Sequence, residues 1–76
     1  MGKLPVVSWR RFERFLIHVD CRFVRQKGSH RIYHRDGLIR PLVVPEYDPL
    51  PDFIVKNNLR ILGISADDFD RILKEL

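Results

Sequence analysis

Lys27-Gly28-Ser29-His30-Arg31-Ile32-Tyr33-His34-Arg35 sets two histidines among three cations within nine residues. Imidazole is the side chain that gives and takes protons near neutral pH without tuning. The surrounding cations would hold a polyanion against it. The pairing points to work on a nucleic-acid phosphodiester rather than to binding alone.

RNA cleavage needs few parts. A base removes the proton from a ribose 2′-OH, which attacks the adjacent phosphorus. An acid protonates the departing 5′ oxygen, and cations stabilise the charged transition state. No metal or other cofactor is required. His30 could act as the base, or as the acid for the leaving group. Lys27, Arg31 and Arg35 could hold phosphate. The Ser29 hydroxyl and the Gly28 amide could donate to it, because glycine lets backbone approach a ligand closely. His34 lies on the same strand face as His30 but about 13 Å along it. That separation is too great for both to flank one phosphate, so His34 is a secondary candidate, as is Tyr33 as a stacking partner.

Each of these residues also has a simpler use. A strand histidine can be a surface or packed residue, Ser29 can stabilise a turn, and Tyr33 can pack across the sheet. His18, in mid-helix, reads as solvated. No acidic or cysteine cluster accompanies His30 and His34, which argues against a metal site.

The elements that must position this segment follow from periodicity. Ser8 can cap a helix in which Trp9, Phe12, Phe15, Leu16 and Val19 recur at helical spacing, ending near Asp20 or Cys21. Residues 22–26 are β-prone and Lys27-Gly28 is a turn. Ser29 to Arg35 alternates, with His30, Ile32 and His34 on one face and Arg31, Tyr33 and Arg35 on the other. Asp36-Gly37 is a hairpin signal. Leu38 to Val44 reads as a third strand with Pro41 inside it, at an edge or a bulge. Pro45 to Pro51 is a stiff connector. Asp52 is expected to cap a second helix with Phe53, Val55, Leu59 and Leu62 inward and Gly63 at its end. Ser65 opens a third helix with Phe69, Ile72, Leu73 and Leu76 as its stripe.

The expected fold is α+β: α-β-β-β-α with a three-stranded antiparallel sheet, helices on one face, and a short extra C-terminal helix. Seventy-six residues suit one small domain over 1–76. At 45% hydrophobic the chain can build a core. Lone Cys21 permits no internal disulfide and reads as a small residue at a helix end. No apolar run reaches membrane-spanning length and the start lacks a signal-peptide core, so a cytoplasmic protein with no membrane partner is expected. Residues 1–45 carry ten Lys or Arg against three acids, and residues 46–76 carry four against seven. The histidine segment thus lies in the basic half, which favours phosphate partners.

Val24-Arg25-Gln26-Lys27-Gly28-Ser29-His30, followed by Ile32-Tyr33, resembles the signature segment of the HicA (YcfA-like) toxin family. Val44-Pro45 resembles the family's strand end. Leu59-Arg60-Ile61-Leu62-Gly63-Ile64-Ser65 is similar to its closing-helix pattern. Together they span about residues 4–73. The resemblance implies a double-stranded-RNA-binding-domain-like fold and a ribosome-independent endoribonuclease that cuts mRNA and arrests growth. It maps the family's essential histidine onto His30 and its neighbouring glycine onto Gly28. It also implies a HicB-type antitoxin that covers the active site, the toxin being a monomer alone or a hetero-oligomer with that partner. Two departures stand out. Cys21-Arg22-Phe23 replaces a common Gly-Phe, and the acidic, Pro-rich 45–52 segment replaces a Gly- and Lys-rich loop, which bears on RNA grip or antitoxin contact.

The alternative is a non-catalytic double-stranded-RNA-binding module, which needs no histidine. Charge gathered on the histidine strand and an acidic last helix favour the enzyme. A third possibility is an inactive member kept as a partner-binding protein.

Overall fold

The computed structural model describes residues 4–76 in the order α1 (Trp9–His18), β1 (Arg22–Lys27), β2 (His30–His34), β3 (Leu42–Pro45), α2 (Asp52–Leu62) and α3 (Ala66–Leu73). The sheet is antiparallel with strand order β1-β2-β3. This is the α+β arrangement expected: α-β-β-β-α with a further C-terminal helix.

Local chemistry explains the helix boundaries. The Ser8 hydroxyl accepts from the Arg11 N–H and the Ser65 hydroxyl from the Asp68 N–H, so both serines cap as expected. At the end of α2, Gly63 (φ 72°) donates to the Arg60 carbonyl and Ile64 to that of Leu59, a Schellman pair. The end of α1 repeats the motif: Asp20 (φ 72°) donates to Ile17 and Cys21 to Leu16. Here an aspartate holds the left-handed position, and its charge meets the negative end of the helix. Asp20→Gly is therefore expected to stabilise the protein by about 0.5–1 kcal/mol, raising the melting temperature by about 3–6 °C. An unchanged or lower melting temperature would show that the side chain is favourable in place.

Phe12 and Phe15 from α1 meet Phe69 from α3 in edge contacts, and Leu16, Tyr33, Leu42, Val44, Val55, Leu59 and Leu73 surround them. Each fully buried large side chain contributes about 1.5–3 kcal/mol. The helices thus cover the sheet face that carries Tyr33, Leu42 and Val44. The other face is open.

Several boundaries differ from the sequence expectation. β2 starts at His30, because Lys27 pairs with His30 and leaves Gly28-Ser29 as a two-residue turn. With φ of 58° at Gly28 and Ser29 outside the positive-φ residues, it has the type II′ pattern that suits strand twist. Asp36-Gly37 does turn the chain, with Leu38 donating to the Arg35 carbonyl, but β3 begins only at Leu42. Pro41 therefore precedes the strand instead of lying within it. α2 is preceded by Pro51, with Asp52 as its first helical residue and no side-chain cap. Its inner stripe is Val55, Asn58, Leu59 and Leu62. Phe53, expected inward, is 70% exposed. Two residues before Val55 places it roughly 200° around the helix from that stripe. Asn58 is buried and donates to the Val43 carbonyl at 3.2 Å, satisfying a group on outer strand β3.

Candidate functional site

Directly paired residues of an antiparallel sheet share a face. Arg22 lies opposite His34, Arg25 opposite Ile32 and Lys27 opposite His30. All six therefore stand on the open face. A bulge at Val24 produces this: Phe23 pairs with Tyr33 on the helix side, yet Arg25 is next in register and falls on the other. Without the extra residue, Arg25 and Lys27 would follow Phe23 under the helices. β1 is exposed along its whole length.

His30 is exposed at the first position of β2, beside the Gly28-Ser29 turn. The turn is braced. Gln26 Nε2 donates to the Gly28 carbonyl at 2.9 Å, and the Glu46 amide donates to the Ser29 carbonyl at 2.9 Å. A Cβ built on Gly28 would meet nothing within 4 Å, so its positive φ, not crowding, calls for glycine. Lys27, Gly28 and Ser29 thus share the hairpin tip with His30. His34 is half-buried at the far end of the strand.

Arg31, Arg35 and Tyr33 lie on the helix side, away from His30, and their polar groups are engaged there. Arg31 contacts Glu13 at 2.9 Å and Glu46 at 3.6 Å, and donates to Tyr33 Oη and Gln26 Oε1. Its guanidinium also lies 4.9 Å from the Trp9 ring centroid and 4.3 Å from that of Phe23. Arg35 donates to the Val19 carbonyl at 3.1 Å and the Leu62 carbonyl at 3.5 Å, placing one cation at the C-terminal ends of α1 and α2. Both arginines hold the scaffold under the sheet, so the phosphate-binding set expected from sequence divides between two faces. The sequence expectation left out Arg25, whose place depends on the bulge.

Tyr33 is fully buried and donates to Glu13 Oε2. Burial first, and the Glu13 carboxylate second, push its phenol up to about 12. The folded state then keeps a proton that the unfolded chain releases near pH 10. This contribution is present below about pH 10 and is lost as pH rises toward about 12, by roughly 2 kcal/mol. Urea unfolding at pH 9 to 11 should show a steeper alkaline loss for the parent than for Tyr33→Phe; parallel curves would deny the linkage. Burial likewise pushes the Cys21 thiol up, consistent with an inert packing residue.

His30 also lines an open groove of about 450 Å³ between the free sheet face and α2, shared with Arg40, Val43, Tyr47, Phe53 and Asn57. Sequence reasoning missed this wall, because the residues come from three separated segments. Among the described residues, no group of three or more His, Cys, Asp or Glu is placed to hold a metal ion. No helix among them is long and apolar enough to cross a membrane.

The family model described as HicA toxin of bacterial toxin-antitoxin matches residues 9–64, well over half of the chain. No curated protein and no solved structure gave a match.

Proposed function

The chain belongs to the HicA toxin family of bacterial toxin–antitoxin systems, and on that premise we propose that it is an endoribonuclease that cuts messenger RNA with His30 as its catalytic histidine. The observation that carries this reading is the placement of His30: exposed, at a braced hairpin tip, with Lys27 and Arg25 on the same open face.

The chemistry uses these groups directly. With His30 as base, the imidazole takes the 2′-OH proton while the 2′ oxygen bonds to phosphorus. The bond to the 5′ oxygen then breaks, and that oxygen receives a proton from an acid on the opposite side. The products are a 2′,3′-cyclic phosphate and a free 5′-OH. With His30 as the acid, the same bonds change and the proton roles exchange. Lys27 and Arg25 offset the charge gathering on the non-bridging oxygens, and the turn at Gly28-Ser29 offers an amide and a hydroxyl as donors. Arg31 and Arg35 act from beneath, by fixing β2 and the helix ends.

A HicB-type antitoxin would neutralise the toxin by covering this open face, and an mRNA substrate places the protein in the cytoplasm. The test is labelled single-stranded RNA incubated with the protein in EDTA, beside His30→Ala. The parent should cut and leave cyclic phosphate ends. Equal cutting by both would remove His30 from the mechanism. A metal requirement would overturn the chemistry, and binding without cutting by the parent would support a non-catalytic RNA-binding module.

A further inference from the structure

Three depressions run together along the exposed side of α2. The first holds His30, Arg40, Tyr47, Phe53 and Asn57; the second Phe53, Lys56, Asn57 and Arg60; the third Ile39, Arg40, Asn57 and Arg60. Asn57 lines all three, and His30 lines the first. No Asp or Glu lines any of them. Among the described residues Arg40, Lys56 and Arg60, like Arg25 and Lys27 on the open face, form no ion pair. Phe53 is 70% exposed and Tyr47 48%.

We propose that this groove is a base-recognition subsite for single-stranded RNA, taking the nucleotide next to the one cut at His30. Tyr47 and Phe53 stack on its base, the Asn57 amide meets the base edge, and Arg40 and Arg60 hold its phosphates. The inference rests on the ribonuclease reading and adds a specificity element to it.

The lining chemistry favours this occupant. Exposed aromatic rings offer sequence-tolerant stacking to unpaired bases, and a basic channel tracks the backbone. A carboxamide presents a donor and an acceptor together, which is what a base edge requires. A duplex would leave the rings unused, because its bases are already stacked. The acid-free lining supplies a positive field unopposed at short range. Of the acids of the 45–52 connector, Glu46 is turned to Arg31, and neither Asp48 nor Asp52 lines the groove.

Binding is measured by fluorescence anisotropy in the His30→Ala background, which leaves the RNA intact. The probes are a short single-stranded RNA and an abasic ribose-phosphate oligomer of equal length. Phe53→Ala should weaken RNA binding by about tenfold and leave the abasic probe unaffected. Arg40→Ala should weaken both probes alike and reduce the slope of log affinity against log salt by about 0.7. Asn57→Ala should alter the ranking among homopolymers. All three positions are exposed, so the melting temperature should hold. Phe53→Ala binding RNA as its background does would overturn the subsite, as would a loss seen only with a protein partner. In the cleaving parent, Phe53→Ala with unchanged kcat/KM would reject the subsite and leave the ribonuclease reading standing. A parent that never cuts, with the binding pattern above intact, would do the reverse.

Discussion

His30→Ala is expected to lower the rate of RNA cleavage by about 10²–10⁴-fold while leaving RNA affinity and melting temperature nearly unchanged. The expectation follows from where the ring stands. His30 is exposed, so its removal opens no cavity in the core. Its backbone is held by pairing with Lys27 on one side and Pro45 on the other, and neither contact depends on the imidazole. On the proposed mechanism, what disappears is a proton-transfer group beside the bound phosphate. The loss should therefore fall on kcat, with KM moving by no more than about twofold, the mark of an interaction made chiefly in the transition state. Lys27→Ala provides the contrast. It removes charge from the same tip without removing the proton carrier, so its effect should shrink as salt rises, whereas that of His30→Ala should not. Single-turnover cleavage at two salt concentrations separates them. A rate loss in His30→Ala that tracked a fall in melting temperature would instead assign the residue to the scaffold.

The route from sequence to this site was legible in part, and the dividing line is physical. Ser8 and Ser65 announce helix starts because capping is decided within four residues of chain. Lys27-Gly28-Ser29-His30 announces a turn because Gly28 must take positive φ. The alternation along β2 correctly groups His30 with His34 and Arg31 with Tyr33. It does not say which group the helices cover, and that choice separates Arg31 and Arg35 from the site. Nor does it register the bulge at Val24, a single extra residue that sends Arg25 and Lys27 to the side of His30. Glu13, Glu46 and Arg31 come from three separate stretches of chain, and nothing local in any of them requires the others. The same holds for the groove, where Phe53 reads as core because it is apolar and near a helical stripe. Its angular position about the helix, not its hydropathy, decides its fate.

A large stability effect is expected at Glu13, outside the apolar core. Glu13→Ala should cost about 3 kcal/mol, a substantial share of the 5–15 kcal/mol of a small domain. Glu13 Oε2 accepts from both Arg31 Nη2 and Tyr33 Oη. Tyr33 is fully buried, so losing that acceptor leaves its hydroxyl without its carboxylate partner. Arg31, held between Trp9 and Phe23, loses its closest carboxylate and keeps the longer contact to Glu46 and its bonds to Gln26 and Tyr33 Oη. The residual exposure of the Glu13 and Arg31 side chains, 24% and 18%, keeps the cost at the low end for a broken buried pair. Glu13→Gln retains an acceptor for Tyr33 while removing the charge, and should cost about 1 kcal/mol. Urea unfolding with an unchanged m-value would measure both. A double-mutant cycle with Tyr33→Phe should return a coupling of at least about 0.5 kcal/mol; additive losses would mean the two groups act independently. The network also reaches the chemistry. Arg31 and Tyr33 alternate along β2 with His30 and Ile32, so anchoring one face of the strand sets the position of the other. Glu13→Ala, assayed where it remains folded, should therefore lose kcat while keeping the salt dependence of RNA binding, because the cations on the open face are untouched.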